Sequence, residues 1–228
     1  DAKDELIVAE LNNRLSEAYS LFIAGRFSDS EKLLKKEDSW LEEYIKSYFT
    51  TVDHFSYSSV NTNPYEFLKR NIISMPFYSA AAKLGNEVHK ALEDILRGKS
   101  KITDYKDNVR KAAQNGLDAI EQLKKQYPGL KLDSTEKSLK ILLSSMVDYK
   151  EDNMQFTGKI DSVFKHNTGY LILDYKTDKK SDRSSEHKRQ LAVYKKMLSI
   201  LEKIPEEEIT TCVVFVALRG VINTGKFD

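Results

Sequence analysis

Two short stretches hold the residues best suited to chemistry. They are Gly158-Lys159-Ile160-Asp161 and, thirteen residues after that aspartate, Asp174-Tyr175-Lys176-Thr177. Between them Lys165-His166-Asn167-Thr168-Gly169 reads as a turn. With Asn167 and Thr168 at its centre, Asp161 and Asp174 are equidistant from the turn and face each other across a hairpin. Their Cβ atoms would lie about 4.5–5.5 Å apart, where like charges destabilise unless something compensates. A divalent cation is the natural compensator, because hard cations such as Mg²⁺ or Mn²⁺ take carboxylate oxygens and also accept substrate phosphate oxygens. Lys176 is two residues past Asp174 and so shares its face. A lysine beside such an ion can have a lowered pKa and act as a base toward water. Metal plus base suits hydrolysis of a phosphodiester. Taken alone, Asp174 and Lys176 would describe an exposed ion-pair face equally well. Gly158-x-Ile160-Asp161 at matched register tips the reading toward a site, and Gly158 fits a strand position that something approaches closely.

The elements that must position these residues follow from periodicity. A meander of strands is expected at about 135–147, 154–165 and 169–177, and Leu171-Ile172-Leu173 is apolar on both faces, as in a strand covered on both sides. A helix at 186–203 and a strand at 210–218 follow. Upstream, helices are expected at 4–24, at about 29–50 after the Gly25-Arg26-Phe27 break, at 79–97 and at about 103–126, the last ended by Tyr127-Pro128-Gly129. Residues 54–63 are turn-rich, and Pro64 opens a short helix. Leu191, Tyr194, Leu198 and Leu201 form an apolar stripe on the helix at 186–203.

Composition narrows the classes. The 228 residues carry a net charge of +1 and 40% hydrophobic residues, with no apolar run near the roughly 20 residues of a membrane span. No signal-peptide pattern opens the chain. Cys212 is the single cysteine, which excludes a disulfide or a cysteine-ligated metal site within this sequence and suggests an intracellular, cytoplasmic setting. Residues 176–196 hold eight Lys/Arg against three Asp/Glu, a local basic patch. The sequence begins without Met and stops at Lys226-Phe227-Asp228, so both ends read as cuts in a longer protein. No GxxxxGK[ST] phosphate loop occurs.

Gly-x-Ile-Asp, then Asp-x-Lys, then Gln190-x-x-x-Tyr194 on a following helix, resembles the RecB-type branch of the PD-(D/E)XK nuclease superfamily. The Gly-x-x-x-His that this branch carries on an upstream helix is matched by Gly85-Asn86-Glu87-Val88-His89. The four blocks occur in the family's order and cover roughly residues 54–205. The resemblance implies an α/β fold, a restriction-endonuclease-like core with a central mixed β-sheet flanked by helices. It divides the chain into an N-terminal helical arm at 1–53 and a nuclease domain at 54–228.

It also implies roles. His89, Asp161, Asp174 and the backbone carbonyl of Tyr175 would hold Mg²⁺ or Mn²⁺, and Lys176 would orient or deprotonate the attacking water. Gln190 and Tyr194 would position Lys176 and the scissile phosphate, although Tyr194 suits a packing role nearly as well and Gln190 could be an ordinary exposed residue. Glu136, at the start of the first core strand, matches a glutamate often found there. Many relatives carry a Cys-Pro pair and three later cysteines for an iron–sulfur staple; Asn63-Pro64 stands here instead, so a cluster-free member is expected. Lys179, Lys180, Arg183, Lys188 and Arg189 flank the site as candidate DNA phosphate contacts. Tyr57, Tyr65, Phe67 and Phe77 could stack on single-stranded DNA, with core packing the stronger expectation for most. His54, His166 and His187 match no motif and are expected in turns or at the surface.

Domains of this kind commonly sit at the C-terminus of superfamily 1 helicases in recombination and repair. A helicase neighbour in the same chain or complex is therefore the expected partner, holding the nuclease beside unwound strands. A catalytically silent DNA-binding or scaffolding domain, and a free-standing CRISPR-type nuclease, are the alternatives.

Overall fold

The computed structural model of the chain describes residues 2–35, 39–74, 79–148, 150, 153–178, 184–218 and 221–225. Two compact units emerge. One comprises residues 1–53 with 58–77, the other 54–57 with 78–228.

The first unit is helical: α1 (Ala2–Ile23), α2 (Phe27–Leu34) and α3 (Ser39–Thr51). Buried Ser30 donates to the Ala18 carbonyl (2.8 Å), and Phe22 meets Phe27 edge-on at 5.2 Å, which together tie α2 back onto α1. The single helix expected at 29–50 is thus two helices, with the wholly polar run Lys35-Lys36-Glu37-Asp38 lying in sequence between them. Further along, β1 (His54–Ser56) and α4 (Tyr57–Val60) occupy the stretch read as turn. Pro64 does open a short helix, α5 (Pro64–Phe67). Asn63 caps it by accepting from the Glu66 amide, and a π-helical turn continues to Ile72.

The second unit is a six-stranded mixed sheet between helices. Its helices are α6 (Ala80–Leu96), α7 (Asp107–Gln126) and α8 (Ser184–Glu202). The strands β2 (Lys131–Leu142), β3 (Gln155–His166), β4 (Gly169–Lys176), β5 (Ile209–Phe215) and β6 (Val221–Gly225) join β1 in the order β1-β3-β4-β5-β6, with β2 also pairing β3. The pairs β1–β3 and β4–β5 are parallel and the rest antiparallel. The first core strand begins at Lys131, earlier than expected, and α7 starts at Asp107 after a 3₁₀ turn rather than near 103.

Each face of the sheet has its own core. Val88 and Leu92 of α6 and Ala113, Ile120 and Leu123 of α7 pack on Phe164, Leu171, Leu173, Tyr175, Cys212 and Val214. On the other face Leu191, Tyr194, Met197 and Leu198 of α8 pack on Leu139, Ile141, Ile160, Val163, Ile172, Val213 and Phe215. Leu171, Ile172 and Leu173 are all fully buried, each side chain stabilising the fold by about 1.5–3 kcal/mol. Leu201 lies 42% exposed, outside the stripe assigned to it.

Candidate active site

The hairpin places the aspartates. Asn167 and Thr168 form the turn, and Ser162 pairs Leu173, Val163 pairs Ile172 and Phe164 pairs Leu171, the register expected from the sequence. The ladder stops there. The next step would set Asp161 opposite Asp174, and at that point the Tyr175 amide donates to Asp161 Oδ2 (2.8 Å). Beneath it the Tyr175 hydroxyl donates to buried Ser162 Oγ (3.1 Å).

A paired irregularity explains why Asp161 does not lie flat on the Asp174 face. Along β2–β3, Thr135 pairs Ser162 and Lys137 pairs Ile160, while Glu136 and Asp161 between them stay out of the ladder. Glu136 has φ 52°, in the left-handed region. Lys137 bonds Glu202 of α8 and Leu139 packs in the α8 core, yet Thr135 bonds Arg97 at the end of α6. Regular alternation would keep 135, 137 and 139 on one face. On β3 likewise, Ile160 and Val163 share the α8 core although they are three positions apart, an offset that regular alternation would put on opposite faces. Both strands change face at this step, and Asp161 Oδ1 meets His89 Nδ1 of α6 at 3.2 Å. Glu136 is therefore mid-strand rather than at the strand start.

Ligand atoms of His89, Glu136 and Asp161 lie within 4.8 Å of one another, the one such grouping among the described residues. They line an open cavity of about 400 Å³ with Asn86, Lys90, Glu93 and Lys159, and Lys159 pairs with Glu136. The His89 ring stands edge-on to Tyr175 (6.2 Å). Burial alone would lower the His89 pKa. The hydrogen bond and charge of Asp161, with Asp174 behind, outweigh burial and Lys176 and hold it above its ordinary value. Gly85, one turn earlier on α6, leaves room for Thr177 just past β4, whose Oγ1 would be 3.4 Å from a Cβ at that position.

On the α8 side a run of contacts leads away from Asp174. This residue is 6% exposed. Lys176 Nζ donates to Asp174 Oδ1 (3.0 Å) and to Gln190 Oε1 (3.4 Å), and Gln190 Nε2 donates to Tyr194 Oη (3.0 Å). Nζ also lies 2.8 Å from Asp174 Oδ2, but at an angle that makes no hydrogen bond, so Oδ2 is buried without a donor. Burial raises the Asp174 pKa against the pull of Lys176. Burial likewise pulls Lys176 down, but the charge and hydrogen bond of Asp174, with Asp161 adding, hold it above its ordinary value. The lowered lysine expected beside a cation is not what the carboxylates produce by themselves. Tyr194 both packs in the core and touches Gln190, and its ring lies against Gly158, where an added Cβ would be 2.6 Å from Cε1.

The other candidates are placed less closely. Lys188 is half-buried and Arg189 exposed on the first turns of α8, while Lys179, Lys180, Arg183 and Phe77 lie outside the described residues. Tyr57 packs beside the α8 core, and Phe67 stacks on Phe49 within the helical unit (6.1 Å); Tyr65 is exposed. His187 is not a surface residue. Its side chain is 12% exposed, with Nε2 3.0 Å from Asp178 and the ring near Phe215. His166 belongs to the hairpin turn, its Nδ1 accepting from the Thr168 amide (3.3 Å). Sequence reasoning passed over Lys159, although it stands inside the Gly158–Asp161 motif. It also passed over Arg97, which no local signal connects to Thr135.

The donor set fits a hard divalent cation. It offers carboxylate oxygens, one imidazole and no thiolate, and the buried Oδ2 of Asp174, 2.8 Å from the Lys176 ammonium, accepts no hydrogen bond and keeps lone pairs that a cation could share. Cys212 lies in the α6–α7 core, where burial pushes its thiol up to about 12.

Residues 54–221 match the model of the PD-(D/E)XK nuclease superfamily, and the chain belongs to that superfamily. Its members are divalent-metal phosphodiesterases. Among solved structures the chain resembles a provisionally named exonuclease from Eubacterium rectale, at 16% identity and a TM-score of 0.47, over 85% of this chain and 78% of that one. No curated protein matches the sequence.

Proposed function

We propose that this domain cleaves DNA phosphodiester bonds, with single-stranded DNA as the preferred substrate and an exonuclease mode. His89, Asp161, Asp174 and the Tyr175 carbonyl would hold Mg²⁺ or Mn²⁺, with Glu136 beside them. The bound ion would supply Lewis-acid stabilisation of the charge that develops on the phosphoryl group and leaving oxygen. The rest falls to side chains. Lys176, anchored by Asp174 and Gln190, orients the attacking water and faces the scissile phosphate. Orientation suits it better than proton abstraction in the metal-free state, because the two aspartates hold its ammonium protonated. Gln190 fixes Lys176, and Tyr194 fixes Gln190.

The observation that carries this reading is the unbroken run Asp174–Lys176–Gln190–Tyr194, beside which the Tyr175 amide and His89 hold Asp161. These contacts support the reading because they join positions that the RecB-type resemblance singles out. We extend the reading to a RecB-type module working beside a helicase domain in recombination or repair, inside the cell. Lys188 and Arg189, with Lys179, Lys180 and Arg183 by sequence, would supply sequence-independent phosphate contacts. No iron–sulfur cluster enters the reading, since the sequence has one cysteine and the core buries it. Among the described residues no helix is long and apolar enough to cross a membrane.

End-labelled single- and double-stranded DNA incubated with Mg²⁺, Mn²⁺ or EDTA tests the proposal. Cleavage of the single strand with either metal is expected, and its loss in EDTA, Lys176→Ala and Asp174→Ala. Equal cleavage by the variants and the wild type would sink the mechanism. Binding without cleavage under every condition would favour a silent DNA-binding domain.

A further inference from the structure

We propose that Arg97 is a positioning residue for Glu136, fixing the peptide that enters it so that the Glu136 carboxylate joins His89 and Asp161. The inference rests on the metal-site reading above. Three non-glycine residues among those described have positive φ, namely Ser74, Glu136 and Lys203, and Glu136 alone of them lies within a strand. An L-residue with a side chain disfavours that region. Such a conformation persists only when its surroundings over-determine it.

Arg97 supplies that determination. It caps the C-terminus of α6, eight residues and about two turns past His89. Its Nε donates to Thr135 Oγ1 (2.6 Å) and its Nη2 to the Thr135 carbonyl (2.9 Å), while Nη1 pairs with Glu93 Oε1 (2.8 Å). The Thr135 carbonyl belongs to the peptide that ends at the Glu136 nitrogen. The guanidinium therefore holds the plane about which φ of Glu136 is set. Thr135 is 4% exposed, so water does not compete freely for these bonds. His89, Glu93 and Arg97 follow one another at four-residue spacing on one face of α6. One rigid helix thus presents the imidazole and also clamps the strand that presents the carboxylate. At the other end of the side chain, Lys159 pairs with the Glu136 carboxylate.

Outer partners that orient metal-binding groups typically change metal affinity by about 10–100-fold when lost. A lysine cannot reproduce the planar fork that reaches a hydroxyl, a carbonyl and a carboxylate together. The test is Mn²⁺ binding to the whole chain by electron paramagnetic resonance or calorimetry, with circular dichroism to establish folding. Arg97→Met should weaken Mn²⁺ binding about 10-fold, and Arg97→Lys should fall between it and the wild type. The double variant Arg97→Met/Glu136→Gln should bind no more weakly than Glu136→Gln, because the arginine acts through the glutamate. A purely structural arginine would lower the melting temperature and leave affinity unchanged. Wild-type affinity in both Arg97 variants, with loss in Asp161→Asn, would overturn the proposal while leaving the metal site standing. Additive weakening in the double variant would overturn it too. Undiminished binding by Asp161→Asn would remove the metal-site reading and this inference with it. Should Arg97→Met not fold, Arg97→Lys carries the comparison.

Discussion

Gly158→Ala puts the coupling between packing and chemistry to a quantitative test. A Cβ at this position would sit 2.6 Å from Tyr194 Cε1, 3.1 Å from Cδ1 and 3.4 Å from Cζ. Restoring ordinary contact requires the ring or the strand to give by about 0.8 Å, the difference between 3.4 and 2.6 Å. Interiors packed at crystal density do not absorb that freely, and Tyr194 is only 7% exposed. Over-packing of this kind costs about 1–3 kcal/mol of stability. The ring also bears the hydroxyl that accepts from Gln190 at 3.0 Å, and Gln190 holds Lys176 at 3.4 Å. A movement of about 0.8 Å away from Gln190 carries the first bond beyond hydrogen-bond reach, and the second has no slack. Since misplacement by about 1 Å can lower a rate about 100-fold, a fall of some tens-fold is expected. Urea titration measures the stability. Cleavage of end-labelled DNA, at a temperature where the variant is fully folded, measures the rate. Gly158→Ala/Tyr194→Leu, with room made for the methyl, should recover stability without recovering activity. A Gly158→Ala protein with wild-type stability and rate would refute the reasoning. Lost stability with an unchanged folded-state rate would reduce Gly158 to packing alone.

Two further predictions follow from the same contacts. Tyr175→Phe removes the hydroxyl that donates to buried Ser162 Oγ and should cost about 1–3 kcal/mol in urea denaturation, because the serine is left without its partner; Tyr175→Phe/Ser162→Ala should recover part of that loss. In EDTA, His89 should confer stability on the acid side: its folded pKa is raised above the ordinary value near 6.5, so the contribution is full below that value and is lost as pH rises through the folded pKa. The stability gap between wild type and His89→Gln should therefore shrink between pH 6 and pH 9, and a gap that widens with pH would contradict the assignment.

Much of the second unit was legible because its strands are strongly patterned. The β3–β4 hairpin came out in register, since a short polar turn centred on Asn167 and Thr168 fixes which residues pair. The short strands β1 and β6 were not legible. Three residues in one case, and Val221-Ile222-Asn223-Thr224-Gly225 in the other, carry too little alternation to outweigh their turn-forming neighbours. At the site, spacing alone brought Asp174 and Lys176 together on β4 and Gln190 and Tyr194 one turn apart on α8. Spacing said nothing of the left-handed Glu136, because glutamate carries no local preference for that conformation. Nor could it join Arg97 to Thr135, a contact made only after helix and sheet have packed. His187 is not legible for a related reason: its partner Asp178 lies off the helix, in the segment after β4.

The break in the sheet also answers the electrostatic problem that the two aspartates pose. β2 runs along one edge of β3, while β1 pairs residues 155–157 and β4 residues 162–166 on the other, so residues 158–161 have no ladder partner on that edge among the described residues. A continuous ladder would fix Asp161 opposite Asp174 on one face, with Glu136 locked into the strand alternation beside it. The face change at 136 and 161 separates the charges instead. Asp161 takes His89, Glu136 takes Lys159 and Asp174 takes Lys176, so each carboxylate has its own basic partner. Pairing of this kind lets the fold form around three acids without requiring an ion, unlike small domains whose metal supplies their folding energy. Asp174 Oδ2 alone among the oxygens of these three acids is buried without a hydrogen bond, although it shares the Lys176 ion pair. On the proposed reading, a cation bound there would compete with the imidazole and the two ammonium groups for oxygens that are already oriented. The energy of its binding would then not be spent on gathering them.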